Sequence, residues 1–164
     1  MRRLHLCLVL PLLLASCGES DPKLLTDQAT EALQSSRWAE SLSGFDNALK
    51  HMEPGHAQYV RASLGRCTAK AHTDPEGAKE DFLKLAEAHK ERVTLTDFHV
   101  LISEFVKTGR YDLATDLVAA AQKRFPGEGQ LTTIGNSIAD AAKRAGDHQA
   151  MDRLKSLGYV GGDR

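Results

Sequence analysis

Apolar residues in this chain recur at spacings of three and four, the period of a helix with one buried face. The pattern is cleanest over residues 95–127. Phe98, Leu101, Ile102 and Phe105 share one face of a first helix, and Tyr111, Ala114, Leu117, Val118 and Ala121 share one face of a second. Gly109 lies between them, where the chain needs a residue of positive φ to turn back. Pro126 and Gly127 stop the second helix. One pair of helices cannot bury both its apolar faces, so this unit predicts neighbours of the same kind.

The rest of the chain reads as altered copies. Residues 23–34 form a helix with Leu25, Ala29, Ala32 and Leu33 inward; after a turn at Ser35 and Ser36, residues 37–51 place Trp38, Leu42, Phe45, Ala48 and Leu49 inward. Residues 56–71 carry Val60, Leu64, Cys67 and Ala71 on one face. Asp74 suits the N-cap and Pro75 the first position of a helix reaching about residue 91, which buries Ala78, Phe82, Leu85 and Ala86. Residues 130–145 place Leu131, Ile134, Ile138, Ala141 and Ala142 together, Gly146 breaks the run, and Asp147 caps a short last helix with Met151, Leu154 and Leu157. Phe45, Phe82 and Val118 recur at similar intervals, as one repeated unit requires. Val/Ile/Thr alternation at period two is nearly absent, so no sheet is predicted and the fold class is all-α.

The order of residues in 95–127 resembles the tetratricopeptide repeat, a helix-turn-helix unit of about 34 residues. Phe98, Leu101, Phe105, Gly109, Tyr111, Ala114, Ala121 and Pro126 stand at that family's signature spacings, and Trp38 and Ala48 match it in the first unit. The resemblance implies a superhelix of three to four hairpins over residues 23–157. Small Ala114 and Ala121 would let two helices pack closely, and Tyr111 would wedge between hairpins. The family usually has Gly or Ala where this chain has Ile102, so a looser contact is expected there. Ser41 stands where Ala is usual, and Pro54 comes late. The resemblance also implies a concave face lined by first helices, carrying Gln58, Arg61, His99, Ser103, Lys107 and Lys143. There Arg61, Lys107 and Lys143 are placed to hold a carboxylate or an acidic peptide. The family's carboxylate clamp of paired Lys and Asn is not reproduced.

The start of the chain is of another kind. Arg2 and Arg3 precede an apolar run from Leu4 to Ala15, interrupted by Pro11. The run falls short of the roughly 20 apolar residues of a spanning helix and fits the apolar segment of an export signal over residues 1–16. Leu14-Ala15-Ser16-Cys17 resembles a bacterial lipobox. That resemblance implies cleavage before Cys17, a diacylglycerol on its thiol, and a membrane anchor followed by a short tether over residues 17–22. Gly18 stands where the inner-membrane retention signal has Asp, which favours the periplasmic face of the outer membrane.

Charge narrows the partners. The 164 residues hold 21 Lys+Arg against 22 Asp+Glu, so no basic field for nucleic acid is expected. Losing Arg2 and Arg3 would leave the body mildly acidic, which opposes electrostatic binding to anionic lipid. Cys7 and Cys17 lie in or beside the leader and Cys67 stands alone in the body, which excludes a disulfide framework.

Candidate chemistry is sparse. His51, His56, His72, His89, His99 and His148 show no pair at metal-binding helical spacing and read as solvated. Cys67 sits on an apolar face and reads as a buried structural thiol. Glu80 and Asp81 are adjacent and diverge on a helix. Gly127-Glu128-Gly129 lacks the strand and third glycine of a dinucleotide loop and reads as a turn. Residues 155–162 resemble a tail found in some sulfatase-type hydrolases and repeat proteins. The sulfatase nucleophile motif is absent, the resemblance carries no functional weight, and residues 158–164 are expected to be a flexible tail.

The expectation is a lipid-anchored, non-catalytic scaffold of the cell envelope that binds a protein or peptide, with no cofactor. The rival expectations are a small metal-binding or enzymatic helical lipoprotein, and a structural spacer with no groove ligand.

Overall fold

The computed structural model of the protein describes residues 21–159. The leader, Cys17 and most of the tail lie outside them. Eight helices follow in order: α1 (Pro22–Gln34), α2 (Trp38–Lys50), α3 (Tyr59–Lys70), α4 (Pro75–Ala88), α5 (Leu95–Lys107), α6 (Tyr111–Arg124), α7 (Gly129–Ala145) and α8 (His148–Ser156). No strand occurs among the described residues. The helices pack in neighbouring pairs, and each first helix also touches the next first helix, α1 to α3, α3 to α5 and α5 to α7. The first helices begin at Pro22, Tyr59, Leu95 and Gly129, 37, 36 and 34 residues apart. This is an all-α helical-repeat fold. Among the described residues, no helix is long and apolar enough to cross a membrane.

The turns show why the sequence folds this way. Gly109 has φ +73° and Gly146 φ +74°, and both close their hairpins with the same hydrogen bonds. Arg110 N donates to Phe105 O, and Asp147 N donates to Ala142 O, which satisfies helix-end carbonyls. In the first hairpin Ser36 does the same work at φ +57°, with Arg37 N donating to Ala32 O. A fourth copy ends α8: Gly158 has φ +87°, and Tyr159 N donates to Leu154 O. The tail's first residues therefore belong to the folded body. The Tyr159 ring fills the space where a Cβ on Gly135 would sit.

Helix starts follow their capping residues. The Asp74 side chain accepts from Gly77 N ahead of Pro75, Asp147 accepts from Ala150 N, and Thr94 and Asp97 cap each other at the head of α5. Two helices are shorter than the apolar pattern predicts. Residues 56–58 are turn, because His56 Nδ1 accepts from Gln58 N and Arg92 donates to the Ala57 carbonyl. α4 stops at Ala88 because the Arg124 guanidinium takes the carbonyls of Ala86, Lys90 and Val93.

The interior has two parts. The larger runs from α3 to α8 and is built on Phe82, Phe98, Leu101, Ile102, Phe105, Leu113, Leu117, Val118 and Ile138. The smaller joins the first hairpin to α3 and holds Ala29, Phe45, Ala48 and Met52 with Ala62 of α3. Tyr59 packs against both. Leu25, Leu33, Leu42 and Leu49, expected inward, are only half-buried, while Ala29, Ala32 and Ala48 hold the contact between α1 and α2. Every buried side-chain polar atom among the described residues has a partner. Ser41 is an example: its hydroxyl donates across the hairpin to Ala29 O at 2.9 Å.

Candidate functional site

The residues expected to pack the repeats separate into two groups. Phe45, Ala48, Phe82, Phe98, Leu101, Phe105, Ala114 and Ala121 are buried. Trp38 and Tyr111 are half-buried, and Gly109 and Pro126 are exposed, at turns. Pro126 follows Phe125, the C-cap of α6, and so ends a helix without packing between helices. Ile102 is fully buried, and α5 and α6 have fewer close backbone approaches than α1 and α2.

The six groove residues do not form one set. Gln58, at the head of α3, accepts from Arg61, and Arg61 also pairs with Asp27 of α1 at 2.7 Å. His99, Ser103 and Lys107 follow at i, i+4 and i+8 along one side of α5; His99 and Lys107 are exposed and Ser103 is half-buried. Lys107 pairs with Glu104 at 2.7 Å. Lys143 stands near the end of α7 and lines a different cavity, between α7 and α8. Two of the three cations expected to hold a carboxylate are thus already paired with one. Hydrogen bonds from Lys23 and Arg61 hold the Asp27 carboxyl below its ordinary range. Cys17 lies outside the described residues.

His72, read as solvated, is instead enclosed. Its ring stacks on Trp38 with centroids 3.6 Å apart and 1° between the planes. Its Nε2 lies 3.0 Å from Glu104 Oε2, and both side chains are 13% exposed. A carboxylate only accepts, so Nε2 carries the proton in this contact. Trp38, His72 and Glu104 come from three successive hairpins, so the contact ties them in a line. Their separation along the chain, near one repeat length, is the signal that reveals them.

Several other charged groups also join neighbouring helices. Arg66 of α3 bridges Asp46 of α2 and Asp81 of α4, and Lys70 reaches Asp81 as well. Burial pushes the Asp81 carboxyl up, but hydrogen bonds from Lys70 and Arg66 outweigh it and hold the group below its ordinary range. Lys79 of α4 and Arg153 of α8 share Asp116 of α6, and Arg110 reaches back to Glu76. Cys67 is buried beneath this network, and burial pushes its thiol up to about 12, the state of an inert structural thiol.

Among the described residues, three cavities of about 450 Å³ or more open on the surface. One of about 600 Å³ lies between α7 and α8 and carries Lys143, Lys155, Asp140, Asp147 and Asp152. A second, of about 450 Å³ among α2, α3 and α4, holds Arg66 and Lys84 against Asp46 and Asp81. The third, of about 580 Å³, lies between α4 and α6. Among the described residues, no three His, Cys, Asp or Glu side chains gather as a metal site would need. Comparison of the chain with protein-family models, with curated proteins and with solved structures found no match.

Proposed function

We propose that this protein is a lipid-anchored, non-catalytic scaffold of the bacterial cell envelope, similar to tetratricopeptide adaptors, that holds a protein or peptide partner near a membrane. The observation that supports it is the row of hairpins. Apolar faces are buried between neighbours, several ion pairs tie one hairpin to the next, and α5 leaves His99 and Lys107 exposed with half-buried Ser103 between them. Such an arrangement offers surface and shape. The anchor rests on the leader: charge, apolar run, small residues and Cys17 in that order. Each buried methylene contributes about 0.8 kcal/mol, so two or more acyl chains on Cys17 would hold the protein firmly to a membrane.

Two experiments test this. Mass spectrometry of the mature N-terminus is expected to find a diacylated Cys17; an unmodified cysteine there removes the anchor. A photo-crosslinking residue at His99, in cells, is expected to attach one defined protein. The pairing of Arg61 with Asp27 and of Lys107 with Glu104 favours a second reading, a spacer without a groove ligand. Absence of any attached protein at His99 supports the spacer.

A further inference from the structure

We propose that the groove between α4 and α6 is a docking site for an acidic amphipathic helix on a partner protein. The inference rests on the adaptor reading and supplies the partner's chemistry, at a face other than the one carrying His99. The floor is apolar: Leu83 of α4, Ala120 of α6 and Phe125 at the end of α6 are partly buried there, above buried Phe98. Phe125 meets Phe98 edge-on at 5.8 Å, and Phe98 meets Phe82 in the same way at 4.7 Å, so the floor is braced by the main core. A cavity of about 580 Å³ is the size of a binding pocket rather than a packing defect.

The rim gives the sign. Lys90, Lys123 and Arg124 stand against a single carboxylate, Glu87. Glu87 pairs with Lys90. Arg124 donates to neutral carbonyls, so its charge is not cancelled. The C-terminal ends of α4 and α6 each contribute roughly half a negative charge, which still leaves the rim positive. The other two large cavities differ: in one, acidic and basic groups are equal in number, and in the other acidic groups exceed Lys and Arg. The whole chain has a formal charge of −1. A basic rim over an apolar floor on such a body selects a helix with apolar residues on one side and Asp or Glu beside them.

The test uses the full chain in detergent and three labelled helical peptides of about four turns. All share one apolar face, and their flanks are acidic, neutral or basic. Fluorescence anisotropy is expected to show the acidic peptide binding at least tenfold tighter than the basic one, with the difference shrinking as salt rises. Lys123→Glu is expected to remove that preference. Ala120→Phe, which fills the groove from its floor, is expected to weaken all three peptides. Circular dichroism of both variants checks that the helices remain. Equal binding of acidic and basic peptides, or acidic-peptide binding indifferent to both variants, overturns the proposal. So does groove-dependent binding to phosphatidylglycerol-rich vesicles without peptide binding, since the site would then be a membrane contact. Photo-crosslinking separates the two readings. A partner attached at His99 with none at Ala120 keeps the adaptor and removes the groove; silence at both removes both.

Discussion

The first hairpin and the third solve one packing problem with opposite residues. α1 and α2 meet through Ala29, Ala32, Ser41, Gly44 and Ala48. A Cβ on Gly44 would lie 2.9 Å from the Ala29 Cβ, which shows how closely the backbones approach. α5 and α6 have fewer close backbone approaches, and the side chains they bury are large: Phe98, Leu101, Ile102, Phe105, Leu117 and Val118. Close contact of small residues buries little apolar area for each residue ordered. Wide contact of large residues buries more and fills the space between hairpins. The first hairpin therefore depends on its neighbour. Its Phe45 ring lies against α3, where a Cβ on Gly65 would come within 2.3 Å of the ring. The third hairpin lies inside the main core and has neighbours on both sides.

Breaking the stronger side of this contrast should have the largest effect. Phe105→Ala removes a fully buried ring and is expected to cost about 3–5 kcal/mol, measured by chemical denaturation. Gly65→Ala attacks the joint of the weaker side. The Phe45 ring is itself buried and cannot swing away, so a loss of about 1–3 kcal/mol is expected. That loss should appear as an early unfolding step of α1 and α2, with α5 and α6 unchanged.

Ion pairs should matter less, and in a defined pH window. The Asp81 and Asp27 carboxyls are both held below their ordinary range. The stability they contribute is fully present above the unfolded carboxylate pKa, about 4. It is lost as pH falls through the lower folded values. Thermal melts should therefore be flat from pH 7 to about 5 in respect of these groups and fall below about pH 4. Asp81→Asn is expected to reduce that acid sensitivity while costing about 1–3 kcal/mol at neutral pH.

The smallest effects sharpen the comparison at the turns. Ser36 and Gly109 occupy equivalent left-handed positions. Ser36→Gly is expected to stabilise by up to about 1 kcal/mol, and Gly109→Ala to destabilise by about 1–2 kcal/mol. Opposite signs from one kind of site would confirm that conformation, not contact, sets the preference.

The large residues announced the third hairpin in the sequence, because Phe98, Leu101 and Phe105 leave no doubt about the buried face. Gly109, Gly146, Asp74 and Pro75 did the same for turns and starts. Ser35 and Ser36 marked a turn as well, but not that Ser36 takes the left-handed position, since serine is common in turns of every kind. The end of α4 gave no signal, because it is set by Arg124 from another hairpin. The charged residues were hardest to read. The contacts of Arg61 with Asp27, His72 with Glu104, Arg110 with Glu76 and Lys79 with Asp116 span 34, 32, 34 and 37 residues. Each joins residues about one repeat apart, so pairing charges by that period would have found them. Without it, Arg61 reads as a group waiting for a ligand; Lys107 reads so too, although its partner Glu104 lies only three residues away on the same helix. The α4–α6 groove was invisible for a related reason: Leu83, Ala120 and Phe125 come together only when two hairpins stack.

Native-state hydrogen exchange of the full chain tests the central claim most directly, because it measures opening hairpin by hairpin. The account predicts that amides of α5 and α6 exchange only through global unfolding, while those of α1 and α2 open together at lower free energy. Equal protection in both hairpins, or greater protection in the first, would contradict it.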